Sequence, residues 1–401
     1  MDVLMLCGVF AKENEQEVMR HAKGAVDFSA NLFQQKLIAG FHSTDCNLRV
    51  VSAPFIGSYP NTSSSIFFRG FSVPHAEYTY VPFNNIWGIR NISRTASLKK
   101  AVLPFVKLDS QEKLILVYAA HTPFLEAAVY AKKLDPRIRI CLYAPDLPQY
   151  MNLNANRTLI YDIAKKWDVA KMTRLMHQVD SFVILTEQMK QLLPVGSKPY
   201  RVIEGIITQE DLAKSRAHAA HNPKDGKLIN IVYTGKLNQS FGIRNLIDAF
   251  CMISDPNYRL ILCGRGDCEA YIKERAQQDS RIQYLGQVTP DEAREWMRKA
   301  NVLVNPRQNN EEYTKYSFPS KTVEYLLSGN AVVAYKLDGM PDVYRDFLTI
   351  VEDDRLESLS AAITHAASGN PRYDQAMEYL ENKCEAGHIC TTILSMAGSS
   401  L

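Results

Sequence analysis

The chain has 401 residues, 46% hydrophobic and 22% charged, a globular composition that excludes disordered and collagen-like chains and suggests two domains. Its eight cysteines are scattered and form no C-x-x-C pair, which argues against a disulfide framework or a structural zinc. The net charge of +3 is uneven: residues 1–200 carry 23 basic and 16 acidic side chains, residues 201–401 carry 23 and 27, so an anionic partner is expected at the first half, and no nucleic acid.

The chain begins MDVLMLCGVFAKENEQ, without the basic start of a signal peptide, and no apolar run approaches the ~20 residues of a membrane-spanning helix. The expected localisation is therefore cytoplasmic. VLMLCGVF (3–10) reads as a buried strand ending near Gly8, SANLFQQKLIAGF (29–41) as a helix and NLRVVSAPF (47–55) as a strand. KLILVYAAH (113–121) is a strand leading through His121 into a helix, and RIRICLYAPD (137–146) the next strand. A helix around 156–177 precedes the strands VDSFVILT (179–186) and RVIEG, and the polar AHAAHNPKDGK (217–227) reads as a linker.

The rhythm then repeats. LINIVYTG, YRLILCGRG, IQYLGQV, NVLVNP and AVVAYK read as strands, each followed or preceded by a helix; Pro290 opens one helix, Gly329 closes another, and residues 374–396 look helical. Two runs of βα units predict an α/β protein of two doubly wound, Rossmann-like domains facing a cleft. The expected division is 1–200 for an acceptor domain, 201–370 for a donor domain, and 371–401 for a C-terminal helix returning to the first.

Ligands of such sheets bind beyond the carboxyl ends of the strands. Four such ends carry chemistry here. Gly235 allows close approach of a ligand and Lys236 adds a charge. Gly264-Arg265-Gly266-Asp267 turns into a helix whose free N–H groups suit anionic or polar groups. Arg307 lies just past a strand. Ser320 and Lys321 open a helix, with Glu324 one turn in among Val323, Tyr325 and Leu326, where a buried carboxylate is expected. Convergence of Lys236, Arg307 and Lys321 fits a diphosphate neutralised without metal, since no Asp-x-Asp pair is present to hold magnesium.

The ordered set YTGKL…GIRNLIDAF, YRLILCGRGD, IQYLGQV, ANVLVNP and YSFPSKTVEYLLSGNAVVAYKLDGMPDVY resembles the donor domain of family 4 retaining glycosyltransferases. The FPSK-x-x-EY phrase is similar to the subgroup of bacterial polysaccharide, capsule and exopolysaccharide assembly. The resemblance is strong over about 228–352 and implies the GT-B fold. It implies that Glu324 accepts hydrogen bonds from the donor ribose, that Lys236 takes the family's diphosphate-binding arginine place, that the backbone at Val288 pairs with the nucleobase, and that His121, with Gly8 on the acceptor side, lies near the sugar. Two places depart from the family pattern: Tyr316 stands for the first glutamate of Glu-x₇-Glu, and Phe241 for the diphosphate-binding lysine, whose charge Lys321 or Arg307 would replace. The implied reaction moves a sugar from a UDP- or GDP-linked donor to a glycan or lipid-linked acceptor with retention, the leaving phosphate taking the acceptor proton, without metal or other cofactor.

Competing readings are a GT-B sugar-nucleotide epimerase, a non-catalytic nucleotide-sugar-binding protein, and a nicotinamide oxidoreductase, the last disfavoured because Gly264-Arg265-Gly266-Asp267 lacks a third glycine. In the first half, PFNNIWGIRNISRTASLKKAVLPF (82–105) interleaves Trp87, Ile89 and Leu98 with Arg90, Arg94, Lys99 and Lys100. That mixture suggests peripheral association with an anionic membrane.

Overall fold

The computed structural model describes residues 1–23, 26, 28–71, 78–147, 159–220, 227–310, 312–369 and 372–398, with backbone alone described for 159–162, 220 and 290. The chain divides into two compact units, residues 1–208 with 384–401, and residues 209–383.

The first unit is built on a parallel sheet of seven strands, β1 (Asp2–Cys7), β2 (Asn47–Ser52), β3 (Tyr78–Tyr80), β4 (Lys113–Tyr118), β5 (Ile138–Ala144), β6 (Ser181–Ile184) and β7 (Tyr200–Val202), in the spatial order β3-β2-β1-β4-β5-β6-β7. Parallel strands are covered on both faces, so they read as continuous apolar runs. All six residues of β4 are buried, Lys113 among them. Lys113 lies 2.8 Å from Asp135, which Arg137 also grips at 2.9 Å. One face carries the helix Phe28–His42, against which the C-terminal helix Ala386–Gly398 lies closely enough that a Cβ on Gly40 would stand 2.4 Å from the Ala386 carbonyl oxygen.

The second unit holds six parallel strands, β8 (Ile229–Thr234), β9 (Tyr258–Cys263), β10 (Ile282–Gly286), β11 (Val302–Asn305), β12 (Ala331–Tyr335) and β13 (Thr349–Val351), in the order β10-β9-β8-β11-β12-β13. The chain thus runs outward from β8 in one direction and then in the other, which places the topological switch point between β8 and β11. Leu246, Ile247 and Phe250 of the helix Ile243–Cys251 sink into the sheet core. Pro290 opens the helix Pro290–Lys299, where Thr289 and Glu292 form a capping box.

Two sequence expectations need correction. Residues 217–220, read as linker, instead finish the helix Gln209–Ala220, in keeping with the helix propensity of alanine; residues 221–226 lie outside the described residues. The helical stretch 374–396 is two helices, Tyr373–Cys384 and Ala386–Gly398. Between them the backbone is drawn into a bridge: the Ile207 N–H donates to the Cys384 carbonyl at 2.8 Å and the Ala386 N–H to the Ile207 carbonyl at 2.9 Å. The helix seen around 156–177 spans Leu159–Met176, and residues 148–158 lie outside the described residues.

Candidate functional site

In the second unit the carboxyl ends of β8 and β9 are interlocked turns. Gly235 and Gly264 adopt φ values of 131° and 139°, a region that L side chains rarely occupy. A Cβ on Gly264 would stand 1.8 Å from the Gly235 carbonyl oxygen. The Leu237 N–H donates to the Arg265 carbonyl and the Cys268 N–H to the Leu237 carbonyl, at 2.8 and 3.0 Å. Two close backbones therefore make a continuous floor beside the switch point.

Lys321 reaches across this floor. A Cβ on Gly235 would lie 2.0 Å from the Lys321 Nζ, so only glycine admits the ammonium there. Nζ donates to the Tyr233 hydroxyl at 3.1 Å and sits 4.6 Å from the centre of that ring, while the Tyr233 hydroxyl donates to the Lys236 carbonyl at 2.8 Å. Burial brings the Lys321 pKa down to about 8; Glu324 works in the opposite direction, and Lys236 and Arg307 lower it further. The helix Ser320–Leu327 that carries Lys321 is pinned by Tyr325, fully buried, whose hydroxyl accepts from the Thr234 N–H at 3.1 Å. Arg307 follows β11, lies 9% exposed, donates to the Ser317 hydroxyl at 3.1 Å, and stacks 4.6 Å from Tyr313 and 5.8 Å from Phe241. Its Nε is buried without a partner.

The fold thus gathers Gly235, Lys236, Gly264, Arg307, Lys321 and Glu324, and Phe241, at the departure from the family pattern, presents its ring to Arg307. One expectation is corrected: Glu324 is exposed. Its neighbours Val323, Tyr325 and Leu326 take the sheet-facing side of the helix, and 3.6-residue periodicity leaves position 324 on the open side. Arg265 and Ser320 are exposed, Val288 is half-buried between β10 and the helix Pro290–Lys299, and Tyr316 is 9% exposed at the end of the turn Glu312–Tyr316. The sequence reading missed Tyr233. Its signal was a hydroxyl-bearing ring next to the end of a buried strand.

In the first unit, Gly8 follows β1 and His121 follows β4, neighbouring strands in the sheet. The Phe55 ring lies over Gly8, where a Cβ would meet it at 2.4 Å, and its centre is 6.0 Å from that of His121. Burial, with the charges of Arg94 and Arg90, drives the His121 pKa down to about 3, so the ring is neutral at neutral pH. Arg94 was expected at an interface, yet it is fully buried: its guanidinium lies 4.2 Å from the Phe83 ring and Nη2 donates to the Pro54 carbonyl at 2.6 Å. The helix Arg90–Ala101 turns Arg94 and Leu98 inward and leaves Lys100 exposed, with Trp87, Ile89 and Ile92 exposed at its start. A separate cavity of about 300 Å³ is lined by residues including Val18, Ile56, Phe68 and Phe71, with His21 and Arg69. No described helix is long and apolar enough to cross a membrane.

Residues 229–368 match the family model described as Glycosyl transferases group 1. No curated protein matches the chain. Among solved structures, the lipopolysaccharide outer core galactosyltransferase WaaB in its apo form aligns over 100% of both chains at 10% identity and a TM-score of 0.64. HepE of Anabaena in complex with UDP aligns over 100% of both at 14% identity and 0.59. A trehalose-6-phosphate synthase, studied for glycosyl transfer with retention, aligns over 99% of both at 13% identity and 0.60. Identities this low show the fold alone: the chain has the GT-B fold, and its residues 229–368 are similar to the Glycosyl transferases group 1 family.

Proposed function

We propose that the protein is a retaining glycosyltransferase that moves a sugar from a UDP- or GDP-linked donor to a glycan or lipid-linked acceptor in polysaccharide biosynthesis. The observation that carries this reading is Lys321, its ammonium seated on the Gly235 backbone with Lys236 and Arg307 in its field. The likeness to WaaB, a lipopolysaccharide outer core galactosyltransferase, and to HepE, which binds UDP in its complex, supports the donor and pathway class.

A diphosphate leaving group gains charge as the glycosidic bond breaks, so groups that stabilise the transition state must hold positive charge there. Lys321 and Arg307 bind the diphosphate oxygens, and Lys236 adds its exposed charge at the rim. Glu324, open to solvent on its helix, accepts the ribose hydroxyls. The nucleobase lies along the backbone at Val288. With three cations present the diphosphate is neutralised without metal. His121, neutral, stands near the sugar, and the leaving phosphate takes the acceptor proton in a front-face reaction. Support for retention comes from the study of the trehalose-6-phosphate synthase neighbour. Turnover with a panel of UDP- and GDP-sugars, in chelator, tests the reading. Loss of activity in EDTA that magnesium or manganese restores would overturn its metal-free part.

The acceptor side belongs to the cytoplasmic face of a membrane, with the exposed Trp87, Ile89 and Ile92 beside Lys100 as the contact. Co-sedimentation with anionic vesicles at low salt, and its loss in a Trp87→Ala, Lys100→Glu chain, checks this. Wild-type protein remaining in the supernatant leaves only a freely diffusing acceptor.

A further inference from the structure

Arg90 and Arg94 stand four residues apart on one helix, a spacing at which like charges repel. Arg94 is fully buried, and its Nε and Nη1 have no hydrogen-bond partner; the same holds for the buried Nε of Arg90 and Nδ1 of His121. None of the described ion pairs includes either arginine. Burial and the neighbouring Arg90 hold the Arg94 pKa well below its ordinary value, and burial brings Arg90 down to about 10. An unpaired buried charge is among the costliest features a fold can hold.

The same unit shows how a structural buried cation is handled. Lys113, whose side chain is 0% exposed, has the Asp135 carboxylate at 2.8 Å. Among the described residues, no such carboxylate serves Arg94. The set also lies where an α/β sheet binds its ligands: Pro54 and Phe55 follow β2, His121 follows β4, and Gly8 follows β1 between them.

We propose that Arg90, Arg94 and His121 form a receptor for a phosphate group carried by the acceptor. Two guanidinium forks match the oxygen spacing of a phosphate, and two positive charges balance its dianion. The His121 Nδ1 adds a hydrogen-bonding position. The orphaned groups have no solvent contact, so a phosphate reaches them only as a covering side chain moves. Phe55 is half-exposed where Phe124, also beside His121, is fully buried. Assignment of the phosphate to the acceptor rests on the glycosyltransferase reading; the anion site does not.

The test is thermal melting of the full chain with inorganic phosphate at constant ionic strength, in a Lys321→Met background that weakens the donor-side cation cluster. Phosphate at a hundredfold excess over its Kd raises the melting temperature by several degrees. Adding Arg90→Met or Arg94→Met abolishes that rise, and Arg94→Met without phosphate melts at or above its parent, because an apolar chain replaces an uncompensated charge. Arg90→Met, at a less buried position, keeps the test available should Arg94→Met not fold. Glucose 6-phosphate and dioctanoyl phosphatidate then distinguish a sugar-borne from a lipid-borne group by which gives the larger rise. No phosphate-dependent rise in the Lys321→Met chain, or a rise that survives both arginine substitutions, overturns the proposal. The shift given by UDP to the wild-type chain is read separately: if it is present while phosphate gives no rise in the Lys321→Met chain with both arginines intact, the anion site falls and the donor reading stands.

Discussion

Both units place cations beyond the carboxyl ends of their central strands, but they hold them differently. In the second unit Lys321 has the Tyr233 hydroxyl at 3.1 Å, Glu324 acts on it favourably, and Lys236 is exposed. In the first, Arg94 is sealed against Phe83 and the Pro54 carbonyl, with Arg90 repelling it and, among the described residues, no carboxylate acting on it. A cation with a hydroxyl partner and a carboxylate in its field keeps its charge at a reduced cost. A sealed one without a counter-charge persists at the expense of stability, which is the mark of a site kept for a ligand. Lys113 and Asp135 show the third case, in which burial is compensated within the fold.

The comparison can be broken most forcefully at that third case. Asp135→Asn strands the Lys113 ammonium and is expected to cost about 3–5 kcal/mol of stability in chemical denaturation, the penalty for removing one partner of a buried pair. Asp135 is held below its ordinary pKa by Arg137 first and then Lys113. Its contribution is therefore complete above the unfolded carboxylate range and disappears as the pH falls through the folded value. If Asp135→Asn is neutral while Arg94→Met destabilises, the contrast between compensated and uncompensated cations is wrong.

Gly264→Ala tests the floor on which the donor-side cations rest. It forces a Cβ against the Gly235 carbonyl at a positive φ, and about 2–4 kcal/mol of destabilisation is expected from overpacking and left-handed strain together. A melting temperature unchanged from wild type would show that the two turns are looser than their hydrogen bonds imply.

Lys321→Met and Glu324→Ala are each expected to lower transfer by about 100-fold, the upper range for loss of a charge-assisted contact. Wild-type turnover in both variants removes the donor site from this unit.

The smallest effect is in pH. With the Lys321 pKa at about 8, donor binding is expected to weaken by about tenfold per unit above that pH, because the diphosphate needs the protonated form. The slope disappears in Lys321→Met. Stability responds with the opposite sign: an unfolded lysine keeps its proton to about 10.4, so between about 8 and that value the unfolded chain binds more protons and this residue adds stability as pH rises. A donor-affinity profile flat from pH 7 to 9 in the wild type would show that Lys321 is not the group that meets the diphosphate.

Much of this was legible in the sequence. Alternating apolar runs and helical spacing gave the βα rhythm, since a parallel strand buried on both faces can only be continuously apolar. Glycines at 235 and 264 marked the ends of strands where backbone must pass close to backbone. What spacing could not supply was direction. Glu324 sits between buried neighbours in sequence and points outward, because a helix turns each successive residue by about 100°. Arg94, embedded in a basic and aromatic stretch that read as a surface, is buried because Phe83 and the Pro54 carbonyl, 11 and 40 residues away in sequence, close over it. The single helix read at 374–396 breaks because Ile207 hydrogen-bonds to the residues on either side of Glu385. Local periodicity determined the elements and most strand ends. Which charges were buried, and which had partners there, depended on contacts between residues far apart in the chain, and only the tertiary structure decided them.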